Sequence, residues 1–442
     1  MKAWRRLAPL WPHRSPSIPI SSTNSWPRRQ VATGRFLKSL AGVSMASPKV
    51  WRGVATESKR IQATDEPCIV MMQGLLKGKS DVSKLSQGVV HWQPPLEALD
   101  AARKAIEDPT VHGYGNDEGS MELRDAVKEK LKKENNITES EVIITTGANQ
   151  AFANLVVALT DEEDTVIMFA PYYFNHKMAV QMTGGSRNLE LGAVDPETLI
   201  PSPEWVEKRL ADDSKGVKMV VLCSPCNPTG VVIPEETLRS ISEACKKAGV
   251  WLVIDNTYEY FTYGDAKHST LEDSHICNIF SFSKAYGMMG WRMGYVAYPP
   301  NIRSALLKAQ DTIPICPTQI SERVALGALQ AGRPYVDQNL PSVVKNRDTI
   351  ISALQPLRVI GGQGAIYLMA ELPEKYRDCD IEVVKWLIDT HHLAVIPGTS
   401  CGAPGFIRLS YANIVGDAME LAAERLRTAI QALLSDDAPK FK

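Results

Sequence analysis

Six short apolar runs alternate with helical patterns in the middle of this 442-residue chain, at residues 142–146, 165–169, 218–223, 251–254, 276–282 and 295–298. Runs of this length, rich in Val and Ile, read as buried strands. The segments between them have helix signals. One covers residues 234–247, opens Pro234-Glu235-Glu236 and stops at Gly249. Strands alternating with helices predict an α/β fold with a doubly wound, mostly parallel sheet. In such sheets ligands collect at the carboxyl ends of the strands. Gly147, Tyr173, Asn227, Asp255 and Lys284 each fall at or just after the end of a run. The spacing therefore converges these five residues on one shared site.

After about Gly332 the pattern changes. A helix over 341–353, Gly-rich strand signals over 361–370, and helices over 381–390 and 417–434 predict a smaller α+β domain. A chain of this length exceeds one ordinary core. The expected organisation is a leader at 1–60, an N-terminal segment at 61–98 associated with the small domain, a large domain at 99–332 and a small domain at 333–442. Residues 83–95 are expected to join the small domain or to lie across the cleft.

The segment Ser281-Phe282-Ser283-Lys284-Ala285-Tyr286-Gly287-Met288-Met289-Gly290-Trp291-Arg292-Met293-Gly294-Tyr295 carries the chemistry. A lysine at the inner end of a core strand is costly unless neutralised or covalently occupied. Two serine hydroxyls and a guanidinium nearby make a phosphate cradle. A lysine that forms an imine with an aldehyde bearing its own phosphate satisfies both demands, and pyridoxal phosphate is such an aldehyde.

The whole segment resembles the lysine motif of the fold-type I pyridoxal-phosphate aminotransferases, and the resemblance runs over about residues 65–430. It implies roles residue by residue. Ser281, Ser283, Arg292 and the turn Gly147-Ala148-Asn149, with free N–H groups at a helix start, would hold the phosphate. Asp255 would pair with the pyridinium nitrogen, and Asn227 and Tyr258 with the phenolic oxygen. Tyr173 would stack on the ring, and Tyr114 would reach the phosphate of a neighbouring subunit, which makes the expected assembly a homodimer. For substrate, Arg408 would grip the α-carboxylate and Gly88 would supply a backbone contact, alongside Asn227. Lys284 would be the catalytic residue of a ping-pong transfer between an L-amino acid and a 2-oxo acid, removing and returning the α-proton. Elimination, as in carbon–sulfur lyases or cyclopropane-forming synthases on the same fold, is the alternative.

The resemblance is strongest to plant-type aromatic aminotransferases, through residues 87–95 (QGVVHWQPP) and 255–261 (DNTYEYF). It implies aromatic amino acids or methionine as substrates, with Trp92 and the Tyr172/Tyr173 pair as an aromatic wall. No second arginine stands out as a clamp for a dicarboxylate. Val90-His91 stand where kynurenine-type relatives usually have Pro-Asp, and Cys401 replaces a common phenylalanine. Both positions are expected to border the substrate pocket.

Charge and cysteines bound the remaining classes. The first 56 residues contain 10 Lys and Arg and no acidic residue, so the remainder has 39 basic against 50 acidic, a net of -11. An acidic body argues against nucleic acid as a partner. The basic, Ser- and Pro-rich head reads as an organelle-targeting segment, mitochondrial or chloroplast, or as a disordered extension. A start at Met45 would give a cytoplasmic product. No apolar run approaches bilayer-spanning length, so no membrane role is expected. Cys223-x-x-Cys226 is the only close cysteine pair, and without a second pair or a nearby histidine it reads as two reduced thiols rather than a metal site.

Overall fold

Each of the six runs forms a strand of one sheet. The computed structural model describes residues 55–183, 189–212 and 216–441, so the leader lies outside the described residues as far as residue 54. After a two-residue strand β1 (Ser83–Lys84) come β2 (Glu141–Thr145), β3 (Thr165–Phe169), β4 (Leu189–Gly192), β5 (Val217–Cys223), β6 (Trp251–Asp255), β7 (Ile276–Ser281) and β8 (Gly294–Tyr298). The order across the sheet is β2-β8-β7-β6-β5-β3-β4. Edge strand β4 is half-exposed, which is why no apolar run announced it.

Side chains alternate across the sheet as the period of two requires. Val221 and Val253 face a core with Phe152 and Leu155 of the helix Ala148–Leu159. Val220, Leu222, Leu252 and Ile254 face the other side, against Leu238 and Ile241 of the helix Glu235–Ala248. That helix ends on Gly249, whose φ of 68° is left-handed, as its sequence predicted. Burial of each such side chain contributes about 1.5–3 kcal/mol.

Strand β8 runs antiparallel to both neighbours, β2 and β7, while the other pairs are parallel. Consequently β2 points the same way as β3 to β7, and β8 begins at the edge where they end. Gly294 pairs with Thr145 on one side and Ser281 on the other. The residues just before β8, Arg292 among them, are thereby brought to the carboxyl edge.

The C-terminal part builds β9 (Val359–Gly361), β10 (Tyr367–Glu371), β11 (Leu393–Ala394), β12 (Ile396–Pro397) and β13 (Phe406–Ser410). Four of these form an antiparallel sheet ordered β12-β13-β10-β9. Helices Leu340–Leu354, Asp380–His391 and Asp417–Leu434 share its core through Ile350, Leu387 and Leu426. Strand β1 pairs in parallel with β11, which ties the N-terminal segment to this part of the molecule. The change of pattern at Gly332 is a break inside one helix, Gln319–Asp337, where that glycine has φ 64° and ψ -161°. The described residues from 57 on form one compact unit. Among the described residues no helix is long and apolar enough to cross a membrane.

Candidate active site

At the carboxyl edge lies a cavity of about 350 Å³. Its floor comes from the ends of the parallel strands and one wall from β10 and β13 of the smaller sheet. Lys284, Ala148, Asn149, Tyr173, Asn227, Asp255, Tyr258, Ser281, Ser283, Arg292, Gly88 and Arg408 all line it. Gly147 stands directly behind Arg292.

One end is a set of hydrogen-bond donors. Gly147, at φ 79°, precedes the helix Ala148–Leu159, so the first helical turn, whose N–H groups have no partner within the helix, borders the cavity at Ala148 and Asn149. A Cβ at Gly147 would come within 2.3 Å of Arg292 Nη2, so only glycine leaves room for the guanidinium. Arg292, itself left-handed at φ 55°, donates to the carbonyls of Met289 at 2.9 Å and Thr146 at 3.4 Å. The Ser283 N–H donates to Ser281 Oγ at 3.1 Å, which fixes the Ser281 hydroxyl, and both serines line the cavity. Helix N–H groups, two hydroxyls and a guanidinium are a donor set for phosphate.

Lys284 is held half-buried between this end and Arg408. Burial, then the repulsion of Arg292 and Arg408, brings its amine down to about 8. On the opposite side Asp255, buried at the end of β6, has its Oδ2 3.1 Å from His176 Nε2 and its Oδ1 accepting from the Thr257 N–H at 2.9 Å. Burial works against that carboxylate, but the His176 contact and the Thr257 bonds outweigh it and hold the group below the usual carboxylate range. The His176 ring is itself fixed by Phe152, with centroids 4.3 Å apart, and by Tyr173, edge-on at 5.2 Å.

Arg408 is 2% exposed and sits on β13 opposite Met369 and Ile396. It donates to Asn227 Oδ1 at 3.0 Å and to the Ser86 carbonyl at 2.8 Å, while its Nε has no partner. Tyr173 has its hydroxyl pushed up to about 12 by burial and accepts from Asn175 Nδ2 at 3.0 Å. Gln87, Thr257 and Tyr367 complete the polar lining, and Ile69 of the helix Cys68–Leu76, Val89 and Phe174 supply its apolar part.

The expected aromatic wall is made differently. Trp92 does not line the cavity; its indole donates to the Ala285 carbonyl at 3.3 Å and stacks on Phe261, so it braces the lysine loop from the core side. Tyr172 is turned away, packed on Gly402 with Lys177 over its ring. His91 lies edge-on to Trp92, and neither it nor the buried Cys401 lines the cavity. Tyr114 is 84% exposed and lines no part of the cavity in its own chain.

Two side chains at the site carried no sequence signal of their own: His176, behind Asp255, and Tyr367, whose hydroxyl lies 2.6 Å from that of Tyr258. His176 lies three residues after Tyr173, about one helical turn on. An i, i+3 aromatic–histidine pair at a strand-to-helix junction was the available clue. Cys223 and Cys226 are free thiols at the end of β5, and no group of His, Cys, Asp or Glu among the described residues is arranged to hold a metal.

Comparison with known proteins agrees with this geometry. Residues 80–426 match the family described as aminotransferase class I and II. The aromatic aminotransferase ISS1 of Arabidopsis thaliana is 47% identical over 383 residues, covering 85% of this chain and 97% of the relative. The aspartate/prephenate aminotransferase of Thermus thermophilus is 29% identical, covering 85% and 97%. Among solved structures, the aspartate aminotransferase of Thermus thermophilus with maleate superposes with a TM-score of 0.79 at 28% identity, covering 85% of this chain and all of that one.

Proposed function

The chain belongs to the class I and II aminotransferases, and on that premise we propose that it transfers the amino group of an aromatic L-amino acid or methionine to a 2-oxo acid, with Lys284 as its catalytic residue. It is a transaminase of a pyridoxal-phosphate-dependent family. The relatives are aminotransferases, which leaves the lyase alternative without support.

The residues present fit that cofactor. The donor set at Gly147, Ser281, Ser283 and Arg292 suits its phosphate, and the space between it and Arg408 is closed by a half-buried, cation-flanked amine. Ala148 and Asn149 N–H groups, the two serines and Arg292 would hold the phosphate. Asp255 would hold the ring nitrogen, Asn227 and Tyr258 the phenolic oxygen, and Tyr173 one ring face. When bound, pyridoxal phosphate supplies an aldehyde for covalent linkage and a ring that takes up electron density released at the substrate α-carbon.

The protein's own part follows from the geometry. Arg408, buried in the cavity wall with its Nε unpartnered, would pair its guanidinium with a substrate carboxylate. That fixes the α-carbon relative to Lys284. An amine near 8 is partly neutral at physiological pH, so Lys284 Nζ can accept the α-proton and give it back. Asp255, kept anionic by His176, stabilises positive charge on the opposite side of the cavity. Ile69, Val89 and Phe174 keep water from the α-carbon and favour an apolar side chain. Tyr114, exposed in its own chain, supports a homodimer in which it serves the neighbouring site. The acid-free basic head supports delivery to a mitochondrion or chloroplast, with a start at Met45 giving a cytoplasmic form.

The observation that carries the reading is the lowered, half-buried Lys284 facing a buried arginine with a free Nε across one cavity. Its test is a half-reaction. Loaded enzyme is mixed, without oxo acid, with Phe, Trp, Met, Ala or Asp in turn. Loss of the visible cofactor band with Phe, Trp or Met, and one equivalent of the matching 2-oxo acid, is expected. Loss only with Asp or Ala would overturn the substrate class. A persisting band with accumulating ammonia would overturn transamination.

A further inference from the structure

We propose that Tyr367 is a positioning residue that orients the proton of the Tyr258 hydroxyl into the cavity, by donating its own hydroxyl hydrogen to Tyr258 while the Arg408 guanidinium lies against its ring. The proposal rests on the reading of Tyr258 as the partner of the cofactor's phenolic oxygen.

The two hydroxyl oxygens are 2.6 Å apart and both side chains are buried, so this is a short hydrogen bond screened from water. A hydroxyl has one hydrogen, and two orders are open to the pair. If Tyr258 donates to Tyr367, Tyr258 has only a lone pair to offer the cavity. If Tyr367 donates to Tyr258, the Tyr258 hydrogen is free to point at an oxygen anion there.

Two features decide between these orders. The Arg408 guanidinium is 4.6 Å from the centroid of the Tyr367 ring, and a cation on a phenol makes its O–H a stronger donor. Accordingly Arg408 works against the burial that raises Tyr367, while Tyr258 is raised well above the usual phenol range, first by its burial and then by its neighbour Tyr367. The more acidic phenol of a pair is the better donor. Packing also holds the Tyr367 ring in place. A Cβ at Gly88 would lie 1.9 Å from the Tyr367 hydroxyl oxygen, so the glycine of the segment Leu85-Ser86-Gln87-Gly88 is what leaves space for a tyrosine hydroxyl at position 367. The Tyr258 ring stands edge-on to it, at 5.5 Å between centroids.

With its acceptor side filled by Tyr367, Tyr258 becomes a stronger donor in turn, since hydrogen bonds in a chain polarise one another. A stronger Tyr258 donor would favour the anionic form of a bound cofactor's phenolic oxygen, and with it an uncharged link to Lys284. The loaded enzyme would then lose the proton of that link at lower pH.

The test compares Tyr367→Phe, Tyr258→Phe and the double variant with the loaded wild-type enzyme. Each is titrated with pH while the visible cofactor band is followed, and the kcat/KM profile is recorded alongside. Tyr367→Phe should retain cofactor and move the spectroscopic midpoint upward by about 0.5–1 pH unit, the loss of one buried hydrogen bond. Tyr258→Phe should move it further, and adding Tyr367→Phe to Tyr258→Phe should move it no more. A shift for Tyr258→Phe with none for Tyr367→Phe would overturn this proposal alone. An equal Tyr367→Phe shift in both backgrounds would also overturn it, because the hydroxyl would then act without Tyr258. No shift for Tyr258→Phe would instead overturn the reading on which the proposal stands.

Discussion

Replacing Lys284 by methionine should stabilise the cofactor-free protein at neutral pH and lose that advantage in alkali. The amine falls from 10.5 to about 8 through burial and then through Arg292 and Arg408. A gap of about 2.5 pH units corresponds to about 3 kcal/mol of unfavourable interaction for the charged form. Below pH 8 both folded and unfolded chains hold the proton, and the native state bears this cost in full. Between 8 and 10.5 the unfolded chain binds more protons, so native stability rises with pH. About 2 kcal/mol of the rise falls between pH 7 and pH 9.5. Lys284→Met keeps the side-chain length and cannot ionise. The wild-type unfolding free energy, minus that of the variant, should therefore increase by about 2 kcal/mol between these two pH values. Urea unfolding of both cofactor-free proteins at one protein concentration measures it, since bound cofactor or a changed assembly would shift either curve by mass action. A difference that stays within about 0.5 kcal/mol, or falls, would refute the reasoning. The same perturbation leaves roughly a tenth of the amine neutral at pH 7, against about 0.03% for an ordinary lysine, and that neutral fraction is what can take a proton.

His176→Phe keeps the ring contacts with Phe152 but strips Asp255 of its nitrogen partner, at a cost of about 1–3 kcal/mol. Because the Asp255 carboxyl is lowered in the native state, its stabilisation is lost as pH falls through that lowered value, and the variant should begin to unfold at higher pH in an acid titration. Arg408→Lys loses the planar fork that spans Asn227 and the Ser86 carbonyl, and should raise KM for amino donors about tenfold to a hundredfold with a smaller change in kcat. Gly147→Ala adds a Cβ 2.3 Å from Arg292 Nη2 at a left-handed backbone position. It should weaken retention of pyridoxal phosphate about tenfold or more in equilibrium dialysis, with activity regained at excess cofactor.

The parts of this site that could be read from the sequence are those the backbone itself delivers. Strand ends in a parallel sheet all emerge at one edge, so the positions following β2, β3, β5, β6 and β7 could be assigned to one site before any contact was known. What periodicity lacks is direction. An apolar run reads the same whether its strand runs up or down, so the reversal of β8 was invisible, and with it the reason why Arg292 precedes its strand while Lys284 follows one. Edge strand β4 was missed because half-exposed side chains leave no apolar run.

Side-chain direction is the harder problem, and Trp92 shows why. Its neighbours in sequence, Gly88 and Val89, line the cavity, yet the indole finds a carbonyl at Ala285 and a ring at Phe261 on the core side. A buried indole N–H must have an acceptor, and the lysine loop supplies one. The choice depends on chain 193 residues away. Tyr367 is the converse case: nothing near it in sequence points to chemistry, and its two functional contacts lie 109 residues away at Tyr258 and on the adjacent strand at Arg408. The aromatic character expected of the pocket therefore survives with different bearers. Phe174 and Tyr367 line the cavity beside the expected Tyr173, while Trp92 and Tyr172, expected there too, do not. Because Phe174 also lies 6.0 Å from the Arg408 guanidinium, the apolar wall begins beside the carboxylate grip. If Arg408 holds the substrate carboxylate as proposed, the substrate side chain would lie against Phe174, Ile69 and Val89, so specificity should respond to volume at those three positions rather than to Trp92, which does not line the cavity.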